Sequence, residues 1–186
     1  KEMIGACKKA KVKLMVGMAL RFWPEYVALK KVIDSKEHGK LTSLTCTRLS
    51  RPVLGWNEWF TDPKKSGGAL LDLHIHDTDM ICYLLGKPKS VYTSGRKTKR
   101  GWVHVYTTYG YDDRAVCAEG GWDLADSFVF THAFRGVFED GTVVEHDLKT
   151  KPLTISTKDK SEPVALQKVE IKVEAGAGFL VTVSGH

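Results

Sequence analysis

Two histidines and three aspartates fall within eight positions of the segment SGGALLDLHIHDTDMICYLLG, residues 66–86. Asp72, His74, His76, Asp77 and Asp79 are the types that ligate metals, exchange protons or simply face water. Their spacing narrows the choice. Leu71, Ile75, Thr78, Cys82 and Leu85 recur at alternating steps of four and three, the apolar face of an α-helix. One position on, Asp72, His76, Asp79 and Tyr83 repeat the same rhythm, so they form a polar stripe at the edge of that face. His74 and Asp77 fall off both stripes and are expected to be solvated.

The stripe suits proton transfer. Histidine titrates near neutrality, and a carboxylate one helical turn away favours its imidazolium and fixes which ring nitrogen points outward. Asp72 stands one turn before His76 and Asp79 one turn after it. A helix-surface histidine between acids is the plainer alternative, worth a few tenths of a kcal/mol. Metal-dependent hydrolysis through HIHDTD is a further one. The metal run His-x-His-x-Asp would need an acid two positions after His76, where Thr78 stands. Such runs also favour strands and loops over a helical period.

The elements that must hold this helix follow from pattern. Ser66 is a candidate cap, the adjacent glycines permit close backbone or ligand approach, and Gly86 followed by Pro88 is a stop. Residues 1–10 read as a helix with Met3, Ile4, Cys7 and Ala10 on one face, and 12–17 (VKLMVG) as a buried strand. A helix over 23–39 carries Pro24 in its first turn and Tyr26, Leu29, Val32 and Ile33 on its inner face. Residues 40–53 alternate as a strand, and a Trp-rich loop, 54–65, leads into the histidine-bearing helix. After Gly86 the chain turns to β-rich runs broken by YDDR and EDG turns. The expected fold class is α+β: an open, mainly antiparallel sheet with helices on one face. Phe128, Phe130 and Phe134 alternate with Val129, Ala133 and Val137. This predicts a second apolar sheet face and self-association through it.

With 186 residues, 42% hydrophobic and 27% charged, the chain suits a domain with a real core. No apolar run reaches membrane-spanning length, so no membrane partner is expected. Cys7, Cys46, Cys82 and Cys117 are scattered through apolar segments and read as reduced core residues of a cytoplasmic protein. The formal charge is +6, part of it in SGRKTKRGW, residues 94–102. No nucleic-acid motif surrounds that stretch, which reads as a solvated loop.

Several segments, in order, resemble the GFO/IDH/MocA (glucose–fructose oxidoreductase/inositol dehydrogenase) family. KEMIGACKKAKVKLMVG is similar to the end of that family's nucleotide domain, and RFWPEY to the start of its substrate domain. GGALLDLHIHDTDMICYLLGKPKSVYT, with Asp-x-x-x-His, resembles its most recognisable segment; CAEGGWD and FRGVFEDGTVVEHD resemble its sheet strands. The resemblance implies hydride transfer between NAD or NADP and a sugar, polyol or related hydroxyl compound. It implies His76 as the acid–base residue and Asp72 as its assistant. It places a third participant, a lysine in a Glu-Lys-Pro segment, just upstream of residue 1. Residues 1–17 would then close an incomplete dinucleotide-binding domain, and 18–186 would form the substrate-binding and dimerisation domain, with an altered or truncated end. Such a piece would hold half an active site, with the cofactor bound mainly elsewhere. The non-catalytic alternative is a sugar-binding or dimerisation module. Asp79, Arg21 and Trp59 complete the candidate substrate-binding set. Arg21 is placed to enter the cleft or to pair with a surface acid, and Trp59 to stack on a sugar ring or to anchor its loop.

Overall fold

A computed structural model describes residues 1–52, 59–60 and 62–166, and the backbone alone of 170–172 and 182–184. Its helices are α1 (Glu2–Ala10), α2 (Pro24–Ser35), α3 (Pro63–Ser66), α4 (Gly68–Asp72) and α5 (Ile75–Leu85). Its main sheet is built from β1 (Leu41–Leu49), β2 (Ser90–Thr98), β3 (Gly101–Gly110), β4 (Ala115–Gly121), β5 (Thr131–Phe138), β6 (Val143–Asp147), β7 (Lys151–Ser156) and β8 (Ser161–Pro163). The strand order is β2-β3-β4-β1-β5-β6-β7-β8. Every neighbouring pair is antiparallel except β1 and β4, which run parallel at its centre. Two further short strands, β9 (Glu170–Lys172) and β10 (Thr182–Ser184), pair with each other. This is the expected α+β architecture.

Alternation along each strand sorts the two faces. Leu44 and Cys46 on β1, Val116 and Ala118 on β4, and Phe134 and Phe138 on β5 share one buried cluster with Tyr26 and Leu29 of α2 and Met80, Ile81 and Leu84 of α5. The sheet contributes residues i and i+2, the helices i and i+3 or i+4, so each buries one face against the other. Pro24 opens α2, whose missing N–H costs nothing at that position, and Lys36 ends it in a left-handed conformation.

The opposite face is mainly polar, with Val137 and Val143 side by side next to Ser43, which corrects the expectation of a predominantly apolar second face. Thr45 lies between Cys117 and Arg135, and Thr47 between Glu119 and Ala133. Arg135 and Lys151 both pair with Glu145, and the Tyr106 hydroxyl donates to Glu119 at 2.8 Å. Phe134 belongs to the helix-covered core, and Phe128, Val129 and Phe130 precede β5. The Phe128 N–H bonds the Ala125 carbonyl in a turn, so the phenylalanine alternation crosses a boundary between turn and ladder. Cys117 is exposed on this face, whereas Cys46 is buried.

Two other expectations are corrected. Residues 12–17 form no strand; Leu14, Met15 and Val16 are exposed, because no described strand lies alongside to complete their hydrogen bonds. α1 buries none of its residues. The helix expected over 66–86 is two, α4 and α5, preceded by the short α3. Gly67 and Gly68 both take positive φ, and a Cβ on Gly68 would lie 2.8 Å from the Trp102 carbonyl oxygen, so Gly68 serves close backbone approach and Gly67 the turn before it. Ser66 ends α3, and its Oγ accepts from the Gly68 N–H at the start of α4.

Candidate active site

The break between α4 and α5 positions the candidate site. The N–H groups of Leu73 and His74 both bond the Ala69 carbonyl, at 3.1 and 2.8 Å; the second spans five residues, which widens the end of α4 and lets the helix restart in a new phase. The core-facing residues become His74, Asp77, Ile81 and Leu84, while Leu71 is exposed. His74 and Asp77, expected in solvent, are 1% and 0% exposed. The reason is that each has a polar partner inside. His74 Nε2 meets Thr107 Oγ1 at 2.9 Å, and its ring lies against Gly120, where a Cβ would stand 2.6 Å from Nδ1. Asp77 receives the Arg48 guanidinium as a fork, Nε to Oδ2 at 2.7 Å and Nη2 to Oδ1 at 3.1 Å.

Asp72 and His76 lie on either side of this break, Asp72 ending α4 and His76 in the first turn of α5. Both are half-buried, and neither side chain has a hydrogen-bond partner among the described residues. Burial, then the charge of Arg48, hold the His76 imidazole below the usual histidine range, against the pull of Asp77, Asp72 and Asp79. Burial pushes the Asp72 carboxyl up, offset in part by His76. The imidazole is therefore neutral at neutral pH and open to accept a proton. Sequence spacing alone had pointed the other way, towards imidazolium, because it cannot register burial or Arg48.

Arg21 and Asp79 meet each other. Arg21 Nε and Nη2 donate to the two Asp79 oxygens at 2.9 and 2.6 Å, and the guanidinium lies 4.7 Å from the Tyr83 ring centre. Of the two roles considered for Arg21, pairing with an acid is the one observed. Trp59 is 45% exposed, in the turn before α3. Trp122 is buried with Ala69 and Val103, and His132 belongs to β5 and meets Trp23 at a 58° tilt, ring centres 4.9 Å apart. Among the described residues no three His, Cys, Asp or Glu side chains converge as metal ligands, and His74 is turned away from His76 into the core. Arg48 was missed in the sequence; Tyr26 was read only as an inner-face residue of its helix, and Asp77 only as a solvated one. The signal was an arginine in phase with Leu44 and Cys46, the inward positions of β1.

Comparison with known proteins decides the family. The family model described as the GFO/IDH/MocA C-terminal domain matches residues 26–137, more than half the chain. The chain belongs to the GFO/IDH/MocA family. Inositol 2-dehydrogenase of Rhizobium meliloti (strain 1021) is 39% identical to this GFO/IDH/MocA domain over 97 residues, 48% of this chain and 28% of that protein. A UDP-N-acetylglucosamine 3-dehydrogenase from Acidithiobacillus ferrooxidans superposes with a TM-score of 0.68 at 19% identity, covering 90% of this chain and 51% of the other. A levoglucosan dehydrogenase in complex with NADH and levoglucosan gives 0.69 at 20%, covering 85% and 47%. These likenesses share the fold of the GFO/IDH/MocA domain, and the chain spans no more than about half of each structure. The named relatives are dehydrogenases. No helix among the described residues is long and apolar enough to cross a membrane.

Proposed function

We propose that this domain handles the reacting hydroxyl in an NAD(P)-dependent dehydrogenase acting on a sugar, polyol or related hydroxyl compound. The observation that carries the reading is the Asp72/His76 pair, half-buried at the α4–α5 break and without hydrogen-bond partners among the described residues; burial lowers the His76 pKa, which favours its neutral form. The names of the relatives support the class of reaction.

The residues present fit one side of such a site. The sequence holds no G-x-G-x-x-G turn, so the dinucleotide phosphates find no glycine-rich cradle here. A nicotinamide, when bound, supplies the hydride acceptor. The chain's own residues handle the proton: a neutral His76 nitrogen accepts it from the substrate hydroxyl, and the Asp72 carboxylate stabilises the imidazolium that forms. Arg21, Asp79 and Trp59 are the proposed substrate contacts, Arg21 and Asp79 acting as a pair that offers both donor and acceptor atoms. In the reverse direction His76 returns the proton.

In the holoenzyme, this domain together with the dinucleotide-binding domain the reading calls for, His76→Ala is expected to lower kcat by roughly 10²–10⁴. Asp72→Asn lowers kcat while leaving the KM for cofactor unchanged. Near-native rates in both variants would reduce the stripe to a solvated helix edge.

A further inference from the structure

Arg48 and Asp77 occupy the middle of the domain, with side chains 3% and 0% exposed. Removing two charges from water costs several kcal/mol per ion, and a buried pair is often no more stabilising than apolar residues of the same size. Stability alone therefore does not account for charges here, where a leucine pair would hold a helix to a sheet. What the pair adds is direction and charge. A guanidinium gripping both oxygens of a carboxylate fixes their mutual orientation in a plane. The Tyr26 hydroxyl lies 3.2 Å from Arg48 Nη2, and the Trp23 and Phe130 rings flank the guanidinium at 5.9 Å each, so the fork has little freedom.

Asp77 adjoins His76 in the first turn of α5. Among the described residues the largest charges acting on His76 are Arg48 from β1, Asp72 from α4, and Asp77 and Asp79 from its own helix, Asp79 being gripped in turn by Arg21. Arg48 is the lone cation in this set. We propose that the Arg48–Asp77 pair is the positioning device of the site: it ties the first turn of α5 to β1, aims His76 towards Asp72, and sets the electrostatic field in which His76 works. This rests on the reading of His76 as the proton acceptor and adds two positioning residues to it.

The test is an NMR titration of the histidine Cε1–H signals of this chain, with His76 assigned from the signal missing in His76→Gln. Asp77→Asn leaves the Arg48 cation unbalanced, so the His76 midpoint falls, by about half a pH unit or more. Arg48→Met removes the cation and raises it; Arg48→Lys, which keeps the charge, stays near wild type. The opposed directions are the signature. Loosening of the fold would carry both variants the same way, towards the solvent value of about 6.5. Movement in one shared direction, or none, overturns the proposal. Where Arg48→Met does not fold, Asp77→Asn decides alone, since unfolding cannot drive the midpoint down. The acid limb of the kcat profile of the holoenzyme is then expected to move with the NMR midpoint. If the midpoints shift as stated and the limb stays put, His76 is not the proton acceptor; the fields are as described but serve no proton transfer, and the functional role assigned to the pair falls with it.

Discussion

At the scale of single residues, the domain is organised by polar side chains that found partners inside it. His74 is the clearest. Its ring occupies space that exists because position 120 carries no side chain. Gly120→Ala is expected to push the ring off Thr107 and cost about 1–3 kcal/mol. Thermal unfolding of the purified domain checks this; an unchanged midpoint would mean that the ring shifts freely. The same residues show where sequence reading stops. The polar stripe of Asp72, His76 and Asp79 was visible as a period. The burial of His74 and Asp77 was not, because their partners Thr107 and Arg48 lie about thirty residues away in sequence on different strands. A periodicity argument also assumes one continuous helix, and the doubled bond to Ala69 that resets the phase leaves no mark on composition.

At the scale of elements, α2, β5 and β6 share a layer of aromatic rings that includes two histidines. His132 lies 4.9 Å from Trp23 and 5.2 Å from His146, ring centre to ring centre. Among the described residues His132 lacks a partner at Nδ1, and the His146 ring finds at most the backbone of Lys151. Burial first, then the charges of Arg48 and His146, lower the His132 pKa to about 4. A histidine with a depressed folded pKa stabilises the native state while it stays neutral. That contribution is complete above the unfolded value of about 6.5 and is lost as pH falls towards 4. Across that window His132 alone removes about 3 kcal/mol. The urea midpoint is therefore expected to drop steeply between pH 6.5 and 4, and less steeply in His132→Phe. An equal slope in both proteins would place the acid sensitivity elsewhere. The inner face of α2 and most strands were legible from their periods. The run at 12–17 was misread because an apolar stretch predicts a strand only where neighbours exist to pair with it.

At the scale of the whole molecule, the sheet has one face under helices and one face of threonines and ion pairs. The sequence suggested that burying apolar area would drive two copies together through the open face. The side chains found there, Thr45, Thr47, Glu119, Arg135 and Glu145 among them, supply a different force. Pairing through this face remains our proposal, now carried by hydrogen bonds and charge. It should weaken as salt rises, because ion pairs at a wet interface are screened within a Debye length of about 3 Å at 1 M. Sedimentation equilibrium at low and at high salt checks it. Association that strengthens with salt would point to apolar contacts elsewhere on the domain.

The parallel pairing of β1 with β4 also constrains the order in which the chain acquires its shape. Ser43 finds Ala115 on one side and Val137 on the other, so the central strand has no ladder until β4 has left the ribosome and is paired on both sides only once β5 has followed. Until then β1 exposes Leu44 and Cys46 on one side of an unpaired strand, while β2 and β3 can zip locally as a hairpin. Closing such long loops before any reward slows folding. The centre of this domain is thus assembled from separated parts after the β2–β3 hairpin, and the nascent chain is most exposed to aggregation between the emergence of β1 and that of β5.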